Sequence, residues 1–170
     1  MAKNKNDVLT KANRQLKEFA KIVNSDHALR KVKPDEKLRV GVDLGTSSIV
    51  LTVLDENNNP IYGAFEYDHA VRDGMVVDYL ESINILKRLK QKAESVLKTE
   101  LTTACGAIPP NTGEGGKKVV ANVIEAAELQ CLNVVDEPTA AAKFLRISSG
   151  TVVDSGAPVF ILSGDTVELV

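Results

Sequence analysis

Apolar residues near the N-terminus recur at helical spacing. Val8, Leu9, Ala12, Leu16, Phe19, Ala20 and Val23 fall within about a third of a helical wheel, with Lys3, Lys11, Arg14, Lys17 and Lys21 opposite. The spacing predicts an amphipathic helix over residues 5–24. Asn24-Ser25-Asp26 ends the pattern and a charged stretch with Pro34 follows, so residues 1–37 read as a helix and a flexible linker. Such a stripe suits a helix packed on the rest of the chain, a docking helix for a partner, or a basic helix drawn to a membrane surface.

From residue 38 the period changes. Leu38–Val42, Ile49–Leu54 and Ile61–Tyr67 alternate like strands, separated by the turns 43–48 and 55–60, which predicts an antiparallel meander. Gly74–Val77 is a brief extended piece. Asp78 can cap a helix, with Glu81 at the capping-box position and Ile83, Leu86, Leu89, Ala93, Val96 and Leu97 as its buried stripe. Thr102–Ile108 reads as a strand stopped by Pro109-Pro110. After a Gly-rich loop (Asn111–Gly116), Lys117–Gln130 reads as a helix with Val120, Val123, Ile124 and Ala127 inward. Asn133–Asp136 is a strand and Pro138–Leu145 a helix with proline in its tolerated first turn. Gly150–Asp154, Val159–Leu162 and Thr166–Val170 complete the strands. This order predicts an α/β domain over 38–170: the meander, extended by parallel strands near 102–108, 133–136 and 150–154.

Composition narrows the function. At 44% apolar and 26% charged, 170 residues make an ordinary globular domain with an arm. No apolar run is long enough to cross a bilayer, and MAKNKNDVLTKANRQ holds no signal core, so the expected location is cytoplasmic. Residues 1–37 carry ten Lys/Arg against five Asp/Glu, and residues 38–170 eleven against eighteen. An acidic body matches a nucleic-acid backbone poorly, so no nucleic-acid partner is expected. His27 and His69 lack neighbours at ligand spacing, which sets aside a histidine metal site or a Ser-His-Asp triad. Cys105 and Cys131 sit in apolar stretches and read as small buried hydrophobes.

The remaining chemistry lies at strand ends. Val40-Gly41-Val42-Asp43-Leu44-Gly45-Thr46-Ser47-Ser48 delivers an aspartate into a glycine and hydroxyl turn. The glycine lets a phosphate approach the backbone, and the carboxylate can hold the waters of a magnesium ion. The same residues also serve an ordinary hairpin turn. Glu137 in Val134-Val135-Asp136-Glu137-Pro138-Thr139 stands between a strand and a helix, and Asp154, followed by Gly156, ends another strand. Such carboxylates would converge where open α/β sheets bind ligands.

VGVDLGTSS, DEPTAAA and VVDSG together resemble the actin-like ATPase superfamily, which includes the DnaK chaperone, actin and sugar kinases. Within it, RVGVDLGTSSIVLTVLDENNNPI, AVRDGMVVDYLESINILKRL, TACGAIPPNT and VIEAAELQCLNVVDEPTAAAKFL are similar to the EutJ family of ethanolamine-utilization proteins. The resemblance covers about residues 38–154. It implies an actin-like (ribonuclease H-like) lobe, a mixed five-stranded sheet with helices on both faces, behind an amphipathic helix. It further implies ATP and magnesium as cofactors. Asp43, Gly45, Thr46, Ser47 and Ser48 would hold phosphate, as would Asp154 and Gly156, with Asp43 and Asp154 on the metal and Glu137 and Asp154 catalytic. Asp154-Ser155-Gly156-Ala157-Pro158 departs from the family's glycine-rich run, and Pro158 has no amide to donate. The second lobe is expected to be missing by truncation or internal deletion, so hydrolysis is expected to be slow or absent.

The resemblance implies a chaperone or reactivating factor for microcompartment enzymes, with a cargo enzyme or shell protein as partner and a microcompartment association. A non-catalytic scaffold resembling the pilus protein PilM is the second reading. A sugar-kinase-like phosphotransferase ranks last, because no residues for a sugar hydroxyl are apparent.

Overall fold

The computed structural model describes residues 5–45, 47–67, 71–72, 75–76, 78–110, 112–145, 149–152, 160–163 and 166–169. The N-terminal helix α1 (Lys5–Phe19) precedes a meander of β1 (Arg39–Leu44), β2 (Ser48–Leu54) and β3 (Pro60–Tyr67). A small hairpin, β4 (Val71–Arg72) and β5 (Met75–Val76), leads into α2 (Tyr79–Leu97), β6 (Thr103–Ile108), α3 (Gly113–Ala126), β7 (Gln130–Asp136) and α4 (Glu137–Leu145). The last strands are β8 (Ser149–Val152), β9 (Phe160–Ser163) and β10 (Thr166–Leu169).

The main sheet is mixed and five-stranded, in the order β3-β2-β1-β6-β7. β1 pairs antiparallel with β2 and parallel with β6, and β6 pairs parallel with β7. The expected third parallel strand is not part of it. β8 joins β9 and β10 in a separate antiparallel sheet, because the chain after β8 turns back on itself.

Alternation decides which face each residue serves. Val40, Val42 and Leu44 of β1 and Ile49, Leu51 and Val53 of β2 are buried, with their chain neighbours half-exposed. On that face α2 lies over β2 and β3, and α3 over β6 and β7. Gly106 of β6 meets Val120 and Ile124 of α3. Gly63 of β3 belongs to the opposite row, since it pairs with Thr52, which pairs with Gly41. There Phe19 of α1 rests on it so closely that a Cβ would collide with the ring. Helices therefore cover both faces. Asp78 caps α2 as expected, its Oδ1 accepting from Glu81 N–H at 3.0 Å. Glu81 turns instead to Arg88, which also holds Glu66 of β3.

Several boundaries and burials differ from expectation. α3 begins at Gly113, so the glycine-rich stretch is its first turn rather than a loop, and it ends at Ala126, short of Gln130. Cys105 is exposed, not buried, because its row faces away from α2 and α3, whereas Cys131 is half-buried on their side. Burial pushes the Cys131 thiol pKa up. The β6–β7 register passes from Ala104↔Cys131 to Cys105↔Asn133, which bulges Leu132 out at 60% exposure.

The arm is fastened to the body. Ala12, Gln15 and Ile22 are buried, and Gln15 Nε2 donates to the Asn58 carbonyl at 3.0 Å. Val8 and Leu9 lie outside the described side chains, as does Lys3. Leu16 is 57% exposed and Ala20 exposed, so the inward face is rotated toward Gln15 relative to the apolar stripe. Nor is the linker loose. Arg30 binds Glu36 and reaches Asp55 at 3.3 Å, tying residues 30–36 to the β2–β3 turn. Leu16→Asp should therefore change stability by less than about 0.5 kcal/mol. Phe19→Ala, which uncovers Gly63, should cost about 2 kcal/mol. Urea denaturation of the two variants checks both values.

Candidate functional site

β1 carries Asp43 one residue before its end, and the chain then turns tightly into β2. Gly45 N–H donates to the Ser48 carbonyl at 3.1 Å, and Leu44 pairs with Ile49 across the turn. A Cβ on Gly45 would stand 3.0 Å from that carbonyl, so a side chain there would press on the turn. Ser47 is exposed and Ser48 half-exposed. The turn thus offers serine hydroxyl groups beside Asp43, whose Oδ1 is buried although the residue as a whole is half-exposed.

Across the parallel strands, Asp43 pairs with Ala107, Ala107 with Val135, and Ile108 with Asp136. The carboxyl ends of β1, β6 and β7 are therefore level. Glu137 opens α4 directly beyond β7. Two strand spacings separate β1 from β7, about 10 Å. Asp136 accepts from Thr139 N–H at 2.9 Å, which caps α4 and fixes Glu137 at its first turn.

Of the expected site residues, the structure brings Asp43, Gly45, Ser47, Ser48 and Glu137 to one end of the sheet. Thr46, Asp154 and Gly156 lie outside the described residues, as does Pro158. Two further groups stand at this end that the sequence reading left aside. Asp136 is one, and its signal was the Asp-x-x-Thr spacing at a helix start. Lys117 is the other. It binds Glu114 at 2.8 Å, and this hydrogen bond chiefly raises its pKa, with Asp136 adding attraction.

Among the described residues, no group of three or more His, Cys, Asp or Glu could hold a metal ion by itself. The carboxylates at this end of the sheet are instead Asp43 on β1, Asp136 on β7 and Glu137 at the start of α4. That chemistry fits a magnesium ion which keeps its waters and arrives with phosphates, since magnesium sheds water reluctantly.

The five-stranded mixed sheet with helices on both faces is that of an actin-like ATPase lobe. The Hsp70 protein family model matches residues 80–150. Ethanolamine utilization protein EutJ of Salmonella typhimurium is 36% identical over 122 residues, which is 72% of this chain and 43% of that protein. EutJ of Escherichia coli K12 is 34% identical over the same shares. The crystal structure of EutJ from Carboxydothermus hydrogenoformans is 33% identical with a TM-score of 0.84, covering 98% of this chain and 60% of that one. The chain is a homologue of EutJ, and it spans less than half the length of these curated relatives.

Proposed function

We propose that this chain is the phosphate-binding lobe of an EutJ-type protein that binds ATP with magnesium in ethanolamine utilization, as a chaperone or reactivating factor for microcompartment enzymes. The observation that carries the reading is the placement of Asp43 near the carboxyl end of β1 and of Glu137 just beyond that of β7, with β6 between them. Similarity to EutJ supports the setting.

Each residue would act by its own chemistry. The Gly45 turn leaves space for phosphate oxygens against the backbone, and the Ser47 and Ser48 hydroxyls can donate to them. Asp43 would order the water shell of magnesium, which when bound neutralises phosphate charge. Glu137, held at the start of α4 by the Asp136 cap, would orient the attacking water or take its proton. Asp154 and Gly156 would supply the second phosphate segment that the resemblance implies. Pro158 weakens that second half, because it removes an amide where the family uses several.

Equilibrium titration with ATP, with and without magnesium, tests the proposal. Binding should depend on magnesium, while turnover stays near background, since a second phosphate segment with Pro158 in place of an amide donor costs large factors in rate. Turnover well above background that Glu137→Gln abolishes would refute the slow-hydrolysis prediction. Absence of nucleotide binding would reject the ATP reading in favour of a non-catalytic scaffold.

A further inference from the structure

The row of residues that holds Asp43 runs across the sheet into an aromatic pair. Asp43 pairs with Val50 and Val50 with Phe65, so the three share one face. It is the face on which α1 lies, since Gly63, two residues before Phe65, carries the Phe19 ring. Two residues nearer the phosphate turn, on the same face, Ser48 of β2 pairs with Tyr67 of β3. Opposed residues of an antiparallel pair hold their Cβ atoms about 5 Å apart, so Tyr67 stands beside Ser48 at the end of the sheet.

Tyr67 differs from Tyr62 of the same strand in what its hydroxyl meets. Tyr62 is buried, and its Oη donates to the Ser25 carbonyl at 3.1 Å. Tyr67 is 77% exposed, and among the described residues its hydroxyl has no hydrogen-bond partner. Its ring is nonetheless placed. It meets the Phe65 ring edge-on, with centroids 5.2 Å apart and planes at 87°, which keeps it on the Asp43 face. Three-quarters of its surface stays in water, so the fold itself gains little from this side chain.

The charge at this end of the sheet shows what such a group adds. Asp43, Asp136 and Glu137 are acceptors that repel phosphate, whereas a phenol is a neutral donor. We propose that Tyr67 is a ligand-contact residue, its hydroxyl donating to a phosphate oxygen of a nucleotide seated on the 43–48 turn beside Ser48. The assignment rests on the ATP reading of the site and extends that site from β1 and β7 out to β3. A hydrogen bond to a charged oxygen is stronger than one between neutral groups, so one phenol weighs measurably in affinity.

Calorimetric titration with ATP and magnesium, together with NMR of ring-labelled tyrosine, tests this on the full chain. The chain has three tyrosines, so loss of a signal in Tyr67→Phe assigns Tyr67. In wild type, saturating nucleotide should shift the Tyr67 ring signal and leave that of buried Tyr62 in place. Tyr67→Phe keeps the ring and its contact with Phe65. It should weaken binding about tenfold at an unchanged melting temperature. Tyr67→Ala should weaken binding at least as much. Binding by Tyr67→Phe as tight as wild type overturns the proposal, and so does a Tyr67 signal unmoved at saturation. Either result with wild type binding ATP rejects this contact alone, whereas a wild type that binds no nucleotide rejects the ATP reading and the contact with it.

Discussion

Asp43→Ala should abolish magnesium-dependent ATP binding while leaving the melting temperature close to wild type. The residue is half-exposed at a strand end, with Oδ1 buried, so its removal takes away few packing contacts. What it removes is charge at the phosphate turn. The Ser47 and Ser48 hydroxyls can donate to phosphate, but they carry no charge to hold a divalent cation. A carboxylate is needed to order the ion's waters, and its loss is expected to cost several kcal/mol of binding. Calorimetric titration with and without magnesium reads this directly. If Asp43→Ala binds ATP with magnesium as wild type does, Asp43 has no role at the metal.

Asp55→Ala should be the most destabilising single change outside the apolar core. Asp55 is buried, at 6% exposure, in the turn between β2 and β3. Its Oδ1 accepts from Asn57 N–H and Asn59 N–H, and its Oδ2 from the Asn59 amide and Arg30. Burial opposes its ionisation, yet the bonds from Asn59, Asn57 and Arg30 outweigh it and hold the carboxyl below its usual pKa. Removing it strands these donors and loosens the linker, for a cost of about 2–3 kcal/mol. For a chain this size that is roughly 5–10 °C of melting temperature. Glu36 shares the clasp, and its hydrogen bond from Arg30 lowers its pKa to about 2.

Both carboxyls have folded pKa values below their unfolded ones, which fixes the sign of the pH effect. Their contribution is complete above about pH 5 and is lost as pH falls through the folded values toward 2. Melting scans of wild type and Asp55→Ala should therefore converge as pH is lowered through this window. A difference between them that is constant from pH 7 to pH 2.5 would show that the carboxylate charge contributes nothing.

The elements near the site were legible because they rest on local chemistry. A hydrophobic strand running into Asp43 and Gly45 states its own turn, and Asp136-Glu137-Pro138-Thr139 states a capped helix start. The expected strand over 150–154 was legible as a strand too, but not as a member of a second sheet, since nothing local to Gly150 names its partner. The α3 start was missed because glycines argue for a loop, and tertiary packing of Val120, Val123 and Ile124 overrode that weak preference. Cys105 was misread because alternation shows which residues share a face but not which face is covered.

By itself, the sequence determined the two strand-end motifs, the meander, the buried stripe of α2 and the charge contrast between arm and body. All of these depend on residues a few positions apart. Only the tertiary structure decided that β6 inserts between β1 and β7, which brings Asp43 and Glu137 to the same end of the sheet with the two strands about 10 Å apart. It alone decided that the arm's inward face includes Gln15 but not Leu16, and that Asn24, a helix terminator by its local pattern, closes the β3 edge. Register and strand order arise from contacts tens of residues apart, where hydrogen-bonding groups look alike along the chain until the fold selects their partners.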